Sequence, residues 1–335
     1  MTSININEKT RIYVLCPPNV KTGGTELLHQ LNYWLGQNGY NSYITYYCVD
    51  KNDNSNLTPK DFEIYVKEYK TESDIEDDEN NIIIIPEIDV KMAVKYKKAM
   101  TIIWWLSVDN YKNNRGLRNV LKNQGIIGLL KSILHKNLIL NDKYVYKADY
   151  HLCQSYYAID FLNNLNVKNC AYLSDYVNDM YLNAEYDIAT KEDIVLYNPK
   201  KGKEFTEKII KSSNFKFVPI ENLTTEGVKN LLLKSKVYID FGHHPGKDRF
   251  PREAAMCGCC IITGKRGAAK FYNDVPINEE FKFDDDEKSI GIIINKIQDC
   301  IEDYEKNIEK FDSYRKFIKN EKQQFIDDMK NIFKK

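Results

Sequence analysis

Twice along this chain, short apolar runs alternate with segments whose apolar residues recur every three or four positions, and that alternation limits the fold more than any single motif does. In the first half, "RIYVLC" (Arg11 to Cys16), "NSYITYYCV", "NIIIIPE", "TIIWWLSVD" and "DYHLCQSY" read as strands. Between the first two, Leu27, Leu28, Leu31, Trp34 and Leu35 share one helical face, and Gly39 stops the helix. "VKMAVKYKKA" reads as a further helix, and "TESDIEDDEN" as a solvated acidic loop. Strands that are apolar along their whole length and separated by helices imply a parallel sheet covered on both faces.

The pattern then restarts. "YLNAEYDIATKED" (Tyr181 to Asp193) has neither period nor core and reads as a linker. After it come strand "DIVLYN", loop "PKKGK", helix "EFTEKIIKSS", strand "FKFVPI", helix "TTEGVKNLLLKS" and strand "KVYIDFG". A polar loop leads next into helix "PREAAMCG" and strand "CCIITG". Near the C-terminus Ile301, Tyr304, Ile308, Phe311, Phe317, Ile318, Phe325, Met329 and Ile332 mark an amphipathic helical segment that packs back on the domains. The expected architecture is α/β, with two Rossmann-like domains facing a cleft: residues 1–180, residues 181–300, and a helical segment at 301–335. In such sheets, ligands sit beyond the carboxyl ends of the strands.

Composition narrows the function. Lys+Arg and Asp+Glu are 48 each, without the basic excess of a dedicated nucleic-acid binder. Eight cysteines with no CxxC pair read as reduced intracellular thiols, and Cys257, Cys259 and Cys260 lack a second ligand cluster for zinc. "MTSININEKTR" is not a signal peptide, and no apolar run reaches the length of a membrane span, so a cytoplasmic location is expected, extending to the inner face of the membrane. Gly125–Leu140 is apolar and basic; a buried helix is the favoured reading, and peripheral contact with a membrane the alternative.

Three loops at strand ends carry the chemistry. In "NPKKGK", Asn198, Lys200, Lys201 and Lys203 precede a helix, whose free N–H groups suit an anion. In "HHPGKDRFPRE", His243, His244, Lys247, Arg249 and Arg252 approach a helix whose first turn is expected to hold Pro251 and Glu253. Cations beside one carboxylate suit a sugar-bearing diphosphate, the acid accepting hydrogen bonds from a ribose diol. In "KTGGTE", Gly23 and Gly24 let backbone approach a ligand or simply form a tight turn. Trp105, Asp109 and Tyr111 could meet an acceptor sugar, with core packing equally expected for the tryptophan; Asp109 is the nearest general base for an inverting reaction. His29 is expected to be structural, and "DDD" (Asp284 to Asp286) to cap a helix rather than bind metal.

"GGTELLHQLNYWLGQNGY" and "REAAMCGCCIITG" resemble the glycine loop and the glutamate-bearing helix of GT-B-fold glycosyltransferases, in the large retaining group related to sucrose and glycogen synthases. The resemblance implies sugar transfer from a nucleotide-sugar donor to a carbohydrate acceptor. The lysines and arginines would handle the diphosphate without cofactor or metal, and membrane contact at Gly125–Leu140 would suit a glycolipid acceptor. The resemblance gives Gly23 and Gly24 to the donor phosphates, the "NPKKGK" loop to the diphosphate, and Glu253 to the nucleotide ribose. Lys201 and Arg249 would then stabilise the leaving group. The chain departs from the group at Pro245, where a first glutamate would contact the donor sugar; His244 and Asp248 are the nearest substitutes. That departure keeps a catalytically silent binding or scaffold protein as the alternative.

Overall fold

Seven of the expected and shorter strands of the first half form one parallel sheet: β2 (Ile12–Cys16), β3 (Ser42–Tyr46), β4 (Tyr69–Thr71), β5 (Ile82–Pro86), β6 (Met100–Trp105), β7 (Tyr150–Cys153) and β8 (Cys170–Tyr172). A separate two-residue strand, β1 (Ile4–Asn5), precedes them and pairs in parallel with Phe333–Lys334 at the other end of the chain. These assignments come from a computed structural model that describes residues 3–49, 56–134 and 141–335. The sheet order is β4-β3-β2-β5-β6-β7-β8, so the winding reverses between β2 and β5. Ile12, Val14, Ile84, Ile102 and Ile103 are fully buried, as strands covered on both faces require.

The second sheet has five strands: β9 (Glu192–Tyr197), β10 (Lys216–Pro219), β11 (Ser235–Asp240), β12 (Cys260–Gly264) and β13 (Lys282–Phe283). Every pair is parallel, in the order β10-β9-β11-β12-β13. Here the winding reverses between β9 and β11. The loops leaving those two strands are "NPKKGK" and "GHHPGKD". A crevice at such a reversal is where ligands of open α/β sheets bind.

The chain divides into two compact units, Met1–Ser174 with Ile326–Lys335, and Asp175–Phe325. The division falls ahead of the stretch read as a linker. Val177 and Tyr181 are buried in the second unit's core and Tyr176 is buried against Phe325, spaced too irregularly to show a period. The long C-terminal helix, Asp312–Ile332, belongs to the second unit as far as Phe325.

Two local expectations change. "VKMAVKYKKA" is not an α-helix; short 3-10 turns cover Glu87–Val94, with a kink at Asp89. The end of the stretch is held by the acidic loop instead: the Asp77 carboxylate accepts from the backbone N–H groups of Lys97, Lys98 and Ala99, each at 2.9 Å. Those contacts hold its carboxyl below the usual range, so the loop is a structural cap as well as a solvated face. The second change concerns Gly125–Leu140. Residues 135–140 lie outside the described residues, but Ile126 and Ile127 are exposed rather than buried.

Candidate functional site

At the reversal of the second sheet, two loops touch through their backbones because glycines leave room. Gly202 has φ 61°, and a Cβ there would lie 2.3 Å from the Phe241 carbonyl oxygen. A Cβ on Gly242 would lie 2.5 Å from Lys201 Cβ. The loops cannot be this close with any other residue at those positions. Gly267 fixes the far side: with φ 57°, its Cβ would fall 2.0 Å from the His244 oxygen, and Ala268 N donates to that same oxygen at 2.8 Å.

Each loop ends in a helix start without a side-chain cap: Gly202, which has no side chain, before Lys203–Lys211, and Asp248, whose side chain makes no capping bond, before Arg249–Met256. The helices Gly23–Gln37, Val108–Asn114, Tyr156–Asn164 and Thr225–Lys234 are instead capped by Thr22, Ser107, Ser155 and Thr224. Two helix starts without a side-chain cap, at neighbouring strand ends, offer N–H groups and positive dipole ends to an anion. The Arg249–Met256 helix begins two residues earlier than expected. Pro251 is therefore its third residue, and Glu253 lies one position beyond the first turn, nearly buried. Its other end closes with Gly258 at φ 80° and the bonds Cys259 N to Ala254 O (2.9 Å) and Gly258 N to Ala255 O (3.1 Å).

The cations fall into two sets. Lys200, Lys203 and His243 are exposed. Lys201 is about one-third exposed, and its Nζ lies 2.7 Å from Asp248 Oδ2. Asn198 uses its side-chain oxygen locally, accepting from Lys200 N at 3.0 Å and so shaping the loop. The second set is internal. Lys247 is buried in an ion pair with Glu321 and lies over the Phe317 ring. Arg252 donates to Glu321 at 2.9 Å, to Asp175 at 2.8 Å and to the Lys247 carbonyl at 2.9 Å. Arg249 Nε is 3.9 Å from Asp175. Burial opposes ionisation of Asp175, but Arg252, Lys247 and Arg249 outweigh it and hold its carboxyl below the usual range. Three of the cations in and after the loop that follows β11, Lys247, Arg249 and Arg252, thus face acids inside the protein. Sequence reasoning missed this because Asp175 and Glu321 lie 77 and 69 residues away from Arg252.

His244, fully buried, sits between two acids: Nε2 is 3.5 Å from Asp240 Oδ1 and Nδ1 is 3.6 Å from Asp248 Oδ2. Neither ring nitrogen makes a hydrogen bond. Asp240, His244 and Asp248 are the one group among the described residues whose spacing could suit a metal ion. The geometry argues for a bridging ring instead, since each acid meets a different ring nitrogen and Lys201 already takes Asp248. Burial, opposed by His244 and Lys201, leaves Asp248 above the usual carboxylate range. The three clustered cysteines are buried, and Cys259 Sγ contacts the Leu232 and Ser235 carbonyls at 3.3 Å. Asp286 caps the turn Glu287–Ser289, as expected, accepting from Ser289 N at 2.9 Å.

In the first unit, Gly23 and Gly24 open the helix rather than precede it, and Thr22 with Thr25 forms a capping box there. Trp105 is core: it packs on Tyr111, Phe161 and His151, and donates to His151 Nδ1 at 3.1 Å. Stacking of Trp105 on a sugar is therefore excluded by burial, and Tyr111 is buried with it. His29 is structural, bonded to Thr25 O at 2.7 Å and to Tyr46 Oη at 2.8 Å. Asp109 is half-buried in the first turn of Val108–Asn114 and accepts from Tyr157 Oη at 2.6 Å; Tyr157 in turn accepts from Lys112 at 2.8 Å.

No protein-family model matches the chain, and no curated protein matches it in sequence. Solved structures do match. HepE from Anabaena, in complex with UDP-glucose, superposes with TM-score 0.59 at 11% identity, over 96% of each chain. Sucrose-phosphate synthase from Thermosynechococcus elongatus gives 0.57 at 12%, over 97% of this chain and 95% of that one. BGT of phage T4, in complex with its UDP-glucose substrate, gives 0.52 at 10%, over 98% of each. The chain has the GT-B fold, with two Rossmann-like units and a C-terminal helix.

Proposed function

We propose that this protein is a glycosyltransferase that moves a sugar from a nucleoside diphosphate donor to a carbohydrate or glycolipid acceptor, without a divalent metal. The observation that carries the proposal is the pair of helix starts at β9 and β11, neither capped by a side chain, with Lys201 beside them. The similar structures that contain UDP-glucose support the same reading. In the reaction, the bond between the anomeric carbon and the diphosphate oxygen breaks, and its electron pair leaves with the diphosphate. Lys201, Arg249 and the N–H groups of the two helix starts meet that charge as it develops. Asn198, Lys200, Lys203 and His244 shape or line the donor loops, and Glu253 accepts from the ribose. Lys247 acts through Glu321, holding the loop rather than touching the ligand. The family resemblance gives Gly23 and Gly24 to the donor phosphates. Retention of configuration follows from the family resemblance; an inverting outcome would give Asp109 the role of base.

The silent-scaffold reading is favoured by one observation: Pro245 stands where a sugar-contacting glutamate is expected, while Lys201 is already paired with Asp248. Calorimetry with UDP, GDP, ADP and TDP in EDTA tests the proposal. Submicromolar to micromolar binding of one of them is expected; binding that requires magnesium or manganese would defeat the metal-free mechanism. Binding without turnover of any nucleotide sugar would favour the scaffold.

A further inference from the structure

The helix Gly116–Leu134 changes direction at Gly125, which has φ 68° and ψ −174°. Before the bend, Leu117 and Leu121 lie one turn apart; after it come Ile126, Ile127 and Leu130. All five are exposed, Ile126 at 70%, Ile127 at 72% and Leu130 at 54%. Five of the fifteen large exposed apolar side chains among the described residues thus fall within fourteen positions of one helix. Single exposed apolar residues need no explanation, but a contiguous set marks a surface that meets something.

Charge says what. From Asn110 to Asn141 the sequence contains no Asp or Glu and six Lys or Arg, in a chain whose charges balance overall. Arg118 and Lys122 are exposed on the same helix. Two copies of this face brought together would set basic residues against basic residues. An anionic lipid surface would accept both the cations and the apolar side chains. No helix among the described residues is long and apolar enough to cross a membrane.

We propose that Gly116–Leu134 lies on the surface of a bilayer containing anionic lipid, with Ile126, Ile127 and Leu130 inserted among the acyl chains and Arg118 and Lys122 at the headgroups. An exposed helix with an apolar face and flanking cations binds in this way. The inference does not depend on the donor chemistry and is read without nucleotide, so its failure leaves the proposed reaction standing. The experiment is flotation of the full chain with phosphatidylcholine vesicles, with and without phosphatidylglycerol. Binding is expected only with phosphatidylglycerol and should weaken as salt is raised. Arg118→Ala with Lys122→Ala should weaken it about thirtyfold, at about 1 kcal/mol per basic side chain. Ile126→Asp with Ile127→Asp should weaken it at least about tenfold with the melting temperature unchanged, since both side chains are already in water. The proposal is overturned by wild type that ignores anionic vesicles or by variants that bind as tightly as wild type. It is equally overturned by a wild-type dimer in sedimentation that the isoleucine variant dissociates.

Discussion

Arg252 Nη1 lies 2.9 Å from Glu321 Oε2, a buried charge pair between residues 69 positions apart. The other oxygen of Glu321 takes Lys247. A single carboxylate on the C-terminal helix therefore holds both buried cations of the loop that follows β11. Without it, burying both cations would cost more, because Asp175 would have to offset much of two positive charges.

Glu321→Gln keeps the size of the side chain and removes its charge. Removing one partner of a buried pair typically costs about 3–5 kcal/mol, and here two buried cations lose a carboxylate they share. Urea unfolding should show a loss in that range. A loss below about 1 kcal/mol would mean that water already reaches the pair.

The glycines at the loops give a second prediction with an internal control. Gly202→Ala and Gly267→Ala each place a Cβ less than 2.5 Å from a carbonyl oxygen, in a backbone region that costs an L-residue about 1–2 kcal/mol before any clash. Both should destabilise by more than about 2 kcal/mol. Gly36→Ala, inside Gly23–Gln37 with nothing within 4 Å of the added Cβ, should stabilise by about 0.5–1 kcal/mol. Thermal melts of the three variants decide the matter; equal effects would mean that the loops yield easily.

What the sequence made legible follows from range. The runs Ile12–Cys16, Ile82–Pro86 and Ser235–Asp240 are local patterns and became strands. "NPKKGK" and "GHHPGKD" are local too, and their place after strands gave the switch-point loops. Partners far along the chain were not legible: nothing near Arg252 announces Glu321 or Asp175, so Lys247 and Arg252 looked like ligand groups. Trp105 failed for a related reason. Its surroundings, Tyr111, His151 and Phe161, come from three different elements. The favoured reading of Gly125–Leu140 as a buried helix fails at Ile126, Ile127 and Leu130, which are exposed, because an apolar composition does not reveal whether anything covers it.

His151 provides a pH prediction. Its Nδ1 accepts from Trp105 Nε1, and burial lowers its pKa to about 4 from an ordinary 6.5, more than its bond to the Val145 backbone raises it. The folded value lies below the unfolded one, so between pH 6.5 and 4 the unfolded chain binds the additional proton. Stability is full above about pH 6.5 and falls as pH drops toward 4, by about 3 kcal/mol at the limit. His151→Asn keeps an acceptor for the indole and cannot titrate. Urea midpoints between pH 4 and 7 should fall less steeply in that variant; identical slopes would remove His151 from the acid transition.

The last prediction concerns Lys201, which lies 2.7 Å from Asp248 before any ligand arrives. If Lys201 stabilises a departing diphosphate, its charge matters more as the bond breaks than while the donor is merely bound. Interactions that strengthen only in the transition state change turnover rather than affinity. Lys201→Met should therefore lower kcat about 100- to 1,000-fold while raising donor KM far less. Asp248→Asn provides the counter-test, because it frees Lys201 from its partner. On the same mechanism the variant should bind nucleoside diphosphate more tightly than wild type, since the donor no longer competes with a carboxylate. Steady-state kinetics with the best donor from calorimetry, together with diphosphate affinity for both variants, makes the comparison. Suppose Lys201→Met loses affinity but keeps its turnover at saturation. The loop would then be a uniform binding site, and the charge that drives departure would have to come from Arg249 and the helix starts alone.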